Sequence, residues 1–245
     1  MKGCIGILLS LCFVPFSIGA ADDFAAVLKQ MGAQVFLAPK SQSIIEINLN
    51  GHQHLDRQIF TRIAQETALT DLSLEQTSTG DKEIRALKTL PNLEWMNLYR
   101  TQITDQSLIH LASFPKLAHL PIGETKVTDQ GLKHLKSCKK LQYLGLRKTA
   151  ITDQGLPFLR PHHELTGLHL GETDVTDEGM KHIAHLDQLE KLWLHDTVVS
   201  DKGLASLASL KNLRQLLIYN TGVTAKGYQQ LQEHLPNCLI IYQID

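Results

Sequence analysis

The sequence predicts an α/β solenoid, a right-handed coil of near-identical turns with a parallel β-sheet on one face and helices on the other. Three observations carry this. Threonines at Thr77, Thr101, Thr125, Thr149, Thr173, Thr197 and Thr221 recur every 24 residues without a break, a register that only stacked structural units produce. Within a unit the apolar spacing changes from near alternation (Leu144, Leu146) to helical steps (Leu156, Leu159), so a short strand is followed by a returning helix. The period occupies residues 44–237 of a 245-residue chain, which leaves room for one domain.

The elements follow in order. Lys2, an uncharged apolar run over residues 4–16 and the small-residue exit Ser17-Ile18-Gly19-Ala20 predict a secretory signal over residues 1–20, cut near Ala20 or Ala21. Its apolar core is too short to span a bilayer, so the mature protein is expected to be secreted or periplasmic, without stable membrane insertion. Residues 21–43 read as an N-terminal cap. Phe24, Val27, Leu28 and Met31 keep helical spacing after Asp22-Asp23, and Gly32 can stop that helix. A hairpin then turns at Pro39-Lys40-Ser41-Gln42. Eight units start at Ile44, Leu69, Leu93, Leu117, Leu141, Leu165, Leu189 and Leu213. Residues 238–245 form a C-terminal capping strand, in which Leu239, Tyr242 and Ile244 repeat the first apolar positions.

The unit beginning at Leu141 reads L-x-x-L-x-L-x-x-T-x-I-T-D-x-G-L-x-x-L. It resembles the leucine-rich repeat family, and its I-T-D-x-G-L block is similar to that of exported bacterial repeat proteins. The resemblance implies a horseshoe whose sheet is the concave side, and a role in recognition.

Local chemistry explains the block. With Thr128 as N-cap, Asp129 falls in the first helical turn, where the dipole favours a carboxylate, and Val127 and Leu132 take the two places of a hydrophobic staple. The aspartates from Asp81 to Asp201 therefore read as helix caps rather than cation ligands. The threonine ladder reads as structural too, its hydroxyls donating to and accepting from neighbouring turns.

Function is then sought on the sheet surface, at the third, fifth, seventh and eighth places of each unit. The first two units supply Glu46, Asn48, Asn50, Asp71, Ser73 and Glu75, which are polar and acidic. Further on come Trp95, Tyr99, Arg100, His119, Tyr143, Arg147, His169, Lys191, Trp193, His195 and Tyr219, the expected ligand-binding set. Aromatic side chains and arginine dominate interface energetics because they offer large rigid surface with a polar handle. Pro121, Gly123, Gly145, Gly167 and Gly171 lie between the tryptophans and suggest a shallow trough roughly 20 Å wide.

Other chemistries find less support. Lys plus Arg number 24 against 25 Asp plus Glu, so the net field gives no reason to expect nucleic acid or an anionic membrane as partner. His169 lies diagonally from His195, but the histidines carry no third and fourth ligand at a recognised spacing, so no metal and no other cofactor is predicted. No nucleophile elbow, phosphate loop or zinc-protease motif occurs, and the chain is not expected to be an enzyme. Glu124 and Glu172 could form a glycosidase-like carboxylate pair about 10 Å apart, yet repeat similarity accounts for both. Cys138 and Cys238 lie four units apart, roughly 20 Å, which is beyond disulfide reach. The expected function is a non-catalytic module that binds a protein or peptide, with a glycan or cell-wall ligand as the second reading and a glycan-acting enzyme as the third.

Overall fold

The computed structural model describes residues 23–87 and 90–243. The expected signal segment and Ile244 lie outside the described residues. Helix α1 (Phe24–Gln30) is capped by Asp23, whose carboxylate accepts from Ala25 N at 3.0 Å. Strand β1 (Gln34–Leu37) pairs antiparallel with β2 (Ile44–Asn48) across the Pro39-Lys40-Ser41-Gln42 turn. From β2 onward every pairing is parallel, through β3 (Asp71–Ser73), β4 (Trp95–Asn97), β5 (His119–Pro121), β6 (Tyr143–Gly145), β7 (Gly167–His169), β8 (Lys191–Trp193), β9 (Gln215–Leu217) and β10 (Leu239–Ile241). The ten strands form one sheet in chain order.

Between strands the chain returns through helices: α2 (Arg57–Ile63), α3 (Asp81–Ala86), α4 (Asp105–Leu111), α5 (Asp129–Leu132), α6 (Asp177–Ile183), α7 (Asp201–Ala205) and α8 (Ala225–His234). Sequence modulates them. Pro157 follows Gly155-Leu156, and that return is a single 3-10 turn, Leu156–Leu159, rather than an α-helix.

The core consists of ladders. Leu72, Met96, Leu120, Leu144, Leu168, Leu192 and Leu216 stack strand on strand with no exposure, and Leu108, Leu132, Leu156, Met180 and Leu204 cover them from the helical side with at most 1%. Each such burial contributes about 1.5–3 kcal/mol, which is what holds a coil without cross-links together. Cys138 and Cys238 are buried free thiols, pushed up by burial to about 11.

Two sequence expectations change in detail. The threonine hydroxyls do not bridge turns. Thr77, Thr101, Thr125, Thr149, Thr173, Thr197 and Thr221 each donate to the carbonyl three residues earlier in their own unit, at 2.6–2.7 Å. The residue before each threonine has φ between 51° and 57°, so the strand ends in a sharp left-handed step, and the hydroxyl satisfies the carbonyl that this step leaves open.

The aspartates are the bridges between units. Asp105 begins α4 and its carboxylate accepts from both N and Oγ1 of Thr128 in the next unit, each at 2.8 Å. Asp81, Asp129, Asp153, Asp177 and Asp201 repeat the contact to Thr104, Thr152, Thr176, Ser200 and Thr224. Thr128 in turn caps α5 by accepting from Gln130 N. One carboxylate thus orders two helix starts. Gly131 is required because Asp105 occupies the space a side chain would fill: an added Cβ would overlap Asp105 Oδ1 and stand 3.1 Å from its Cγ.

Candidate functional site

Strand register decides which side chains meet. At the third place, adjacent strands align Asp71, Trp95, His119, Tyr143, Gly167, Lys191 and Gln215. At the fifth, Pro121, Gly145, His169, Trp193 and Leu217 align. The fourth place between them is the buried ladder, so both rows face away from the core and Trp95 and Trp193 share one face.

The expected trough is not there. Gly123, Gly167 and Gly171 are buried beneath rings from neighbouring strands. A Cβ on Gly123 would lie 3.1 Å from the ring of Tyr99, one on Gly167 2.8 Å from Tyr143 Cδ2, and one on Gly171 2.5 Å from His195 Nε2. Glycine here lets an aromatic side chain lie down across the adjacent strand. The result is a paved surface with two assemblies.

The first is polar. Tyr99 OH donates to Glu124 Oε1, and Arg100 Nε donates to Oε2 at 2.8 Å. Arg147 Nη1 donates to Tyr99 OH at 3.1 Å, while Nε of the same arginine donates to Glu172 Oε1 at 2.6 Å. Arg147 therefore sits between the two carboxylates that sequence reasoning weighed as a catalytic pair. The Arg100 hydrogen bonds, reinforced by Tyr99 and opposed by burial, hold Glu124 down to about 2. Glu124 stays ionised at neutral pH and cannot be the proton donor of such a pair.

The second assembly is aromatic. Trp193 packs edge-on to Tyr143 across Gly167, with ring centroids 6.1 Å apart, and lies 5.3 Å from His169. His195 stacks on Tyr219 at 4.7 Å with the planes 8° apart. His169 Nε2 and His195 Nε2 approach to 3.1 Å, and His195 Nδ1 meets Asp196 Oδ2 at 2.8 Å. Burial, then the nearby His195 and Arg147, holds His169 down to about 4, so it is neutral above that pH.

The structure brings together Tyr143, His169, Trp193, His195 and Tyr219 in this cluster, and Tyr99, Arg100 and Arg147 in the polar one. Trp95 and His119 pair in register on β4 and β5, outside the aromatic cluster, and Lys191 is exposed at the start of β8. Sequence reasoning set aside Glu124 and Glu172 and did not count Asp196 among binding residues. Their signal was the eighth place of the unit, where the left-handed step aims them along the same rim. Among the described residues, Glu172, His195 and Asp196 each offer a ligand atom within 4.8 Å of the others, the one grouping capable of holding a metal.

A Leucine Rich repeat family model matches residues 163–184. No curated protein matches the chain. Among solved structures the chain is similar to internalin C2 of Listeria monocytogenes, with 21% identity over 82% of this chain and 81% of that one and a TM-score of 0.66. It is similar also to another internalin of that organism, inlF, with 13% identity over 90% and 88% of the two chains and a TM-score of 0.52. The 24-residue register, the continuous parallel sheet with helices behind it, and these likenesses together give the chain the α/β horseshoe fold of leucine-rich repeat proteins.

Proposed function

We propose that this chain is an exported, non-catalytic recognition module that binds a protein or peptide across the sheet face from β4 to β9. The observation that carries the reading is the contiguous, partly exposed aromatic surface of Tyr143, Trp193, His169, His195 and Tyr219, in which Tyr143 lies over Gly167 and His195 over Gly171. A packed core has no use for aromatic rings on the outer side of its sheet, and rings of this size on a rigid frame are what interfaces use for affinity. Flatness favours an extended protein surface over a small molecule, which needs concavity. The neighbouring cations Arg100 and Arg147 are already paired with Glu124 and Glu172, so the patch offers ring surface more than net charge. Export rests on the N-terminal sequence. Among the described residues no helix is long and apolar enough to cross a membrane. The same rings suit the stacking of sugars, which keeps a glycan as the second reading.

Capture with the full chain, repeated with Trp193→Ala and with Tyr143→Ala, tests this. Both variants are expected to keep the wild-type circular dichroism, since neither ring enters the leucine ladders, and to release the bound partner. Undiminished capture by both would remove the site. Retention on polysaccharide beads, lost in the same variants and with no protein captured, would transfer the reading to a glycan.

A further inference from the structure

The geometry points to a divalent transition-metal site on the sheet rim, formed by Glu172, Asp196 and His195 and steadied by His169. It goes beyond the recognition reading and stands or falls independently of any macromolecular partner.

Glu172 and Asp196 hold the same place on adjacent turns, and both have left-handed backbone, with φ of 57° and 56°. Strands stack at about 4.8 Å, so two carboxylates at this place are set one strand apart along the rim. His195 precedes Asp196 and lies over Gly171, whose missing side chain lets the ring come down between them. Ligand atoms from the three residues fall within 4.8 Å of one another. The His195 Nδ1 to Asp196 Oδ2 distance of 2.8 Å is close to the roughly 3 Å that separates neighbouring donors around a cation bound at about 2.0–2.2 Å.

The two ring nitrogens of His195 face different partners, Asp196 at Nδ1 and His169 at Nε2. A bound cation takes the Nδ1 lone pair on the carboxylate side. The proton then resides on Nε2 and is donated to His169 Nε2, the outer hydrogen bond that metal-ligating histidines almost always make. His169 Nε2 stands 3.1 Å from His195 Nε2, in position to accept it. The charge also suits a dication: two carboxylates and a neutral imidazole are the mixed oxygen and nitrogen donors that zinc and manganese accept. Asp196 is exposed and His195 only 6% exposed, so one side remains open for water or an external ligand. Arg147 opposes the site through its bonds to Glu172 Oε1, but both fall on that one oxygen and leave Oε2 to face a cation. The sequence did not announce the site because its ligands lie one solenoid turn apart instead of at helix or loop spacing.

The test uses the full chain without a histidine tag, stripped with EDTA and titrated by calorimetry with Zn2+ and with Mn2+. One equivalent of at least one ion is expected to bind. Asp196→Asn and Glu172→Gln, which keep size and shape, should each weaken it at least tenfold. His169→Phe should weaken it about 10–100-fold, as loss of an outer partner does. Removing His182 and His185, neighbours on the helical side, should change nothing. With Co2+ in place of the first ion, visible absorption should be present in the wild type and absent from His195→Ala. Binding that survives both carboxylate variants, that disappears with His182 and His185, or that is absent for both ions would overturn the assignment.

Discussion

Gly131→Ala asks whether the coil is held in phase by its aspartates. Gly131 lies inside α5 with φ outside the left-handed region, so its backbone would tolerate any residue. Helix propensity alone favours alanine by up to about 1 kcal/mol. Against this, the new methyl overlaps Asp105 Oδ1 and stands 3.0 Å from Leu108 Cδ2. Overpacking of that kind costs roughly 1–3 kcal/mol. Moving Asp105 also weakens its bonds to Thr128 N and Oγ1, and a hydrogen bond to a charged group contributes about 1.5–3 kcal/mol. The net expectation is a loss of about 2–4 kcal/mol, or roughly 5–15 °C in Tm for a chain of this size. Urea denaturation followed by circular dichroism measures it, with Asp105→Ala and the double variant closing the cycle. In the Asp105→Ala background the same substitution should become neutral or stabilising. Gly131→Ser should fall between, because Ser107, at the equivalent place, has its hydroxyl bonded to Asp81 at 2.6 Å. A Gly131→Ala protein as stable as wild type, or one equally damaged whether or not Asp105 is present, would refute the reasoning.

Two further outcomes are expected. His162 sits in the core ladder of Leu90, Phe114, Cys138, Leu186 and Leu210, and its Nε2 has no partner. His162→Leu should therefore raise the urea midpoint by the equivalent of about 1–3 kcal/mol, the cost of a buried unsatisfied group, and a lower midpoint would show that the ring is doing something the ladder needs. Acid should also loosen the polar assembly. Glu124 is held near 2 in the fold against an ordinary 4.5, so its contribution is complete above 4.5 and is lost as pH falls through about 2. Glu124→Gln should flatten that part of the stability profile, and an unchanged profile would contradict the pairing with Arg100.

Much of the fold was legible because each solenoid turn repeats its chemistry. The period located the strands, the inward leucines and the capped helix starts, and all three depend on neighbours close in sequence. Side chains that reach across to the next strand were harder to read. Thr101 looked like a bridge between turns and bonds its own unit, whereas Asp105 looked like a local cap and reaches the next one. The distinction depends on side-chain direction at the left-handed step, which spacing does not reveal. The face was read correctly as a set of rows but wrongly as a relief. Gly167 and Gly171 were taken as open floor because the sequence shows a missing side chain and does not show that Tyr143 and His195 fill the gap. Repeat similarity accounts for Glu124 and Glu172 as copies, but it does not show that Arg147 lies between them.

The left-handed residue that ends each strand also limits what this rim can become. Gln76, Arg100, Glu124, Lys148, Glu172, Asp196 and Asn220 occupy it, and none is branched at Cβ. Valine, isoleucine or threonine would be a steric outlier there, whereas straight-stemmed polar residues are tolerated. Diversification along this margin is thus confined to changes of charge sign and reach, and new shape complementarity has to arise elsewhere on the sheet. The margin works as a restricted alphabet that can be respelled many times without loosening the spine to which it is attached.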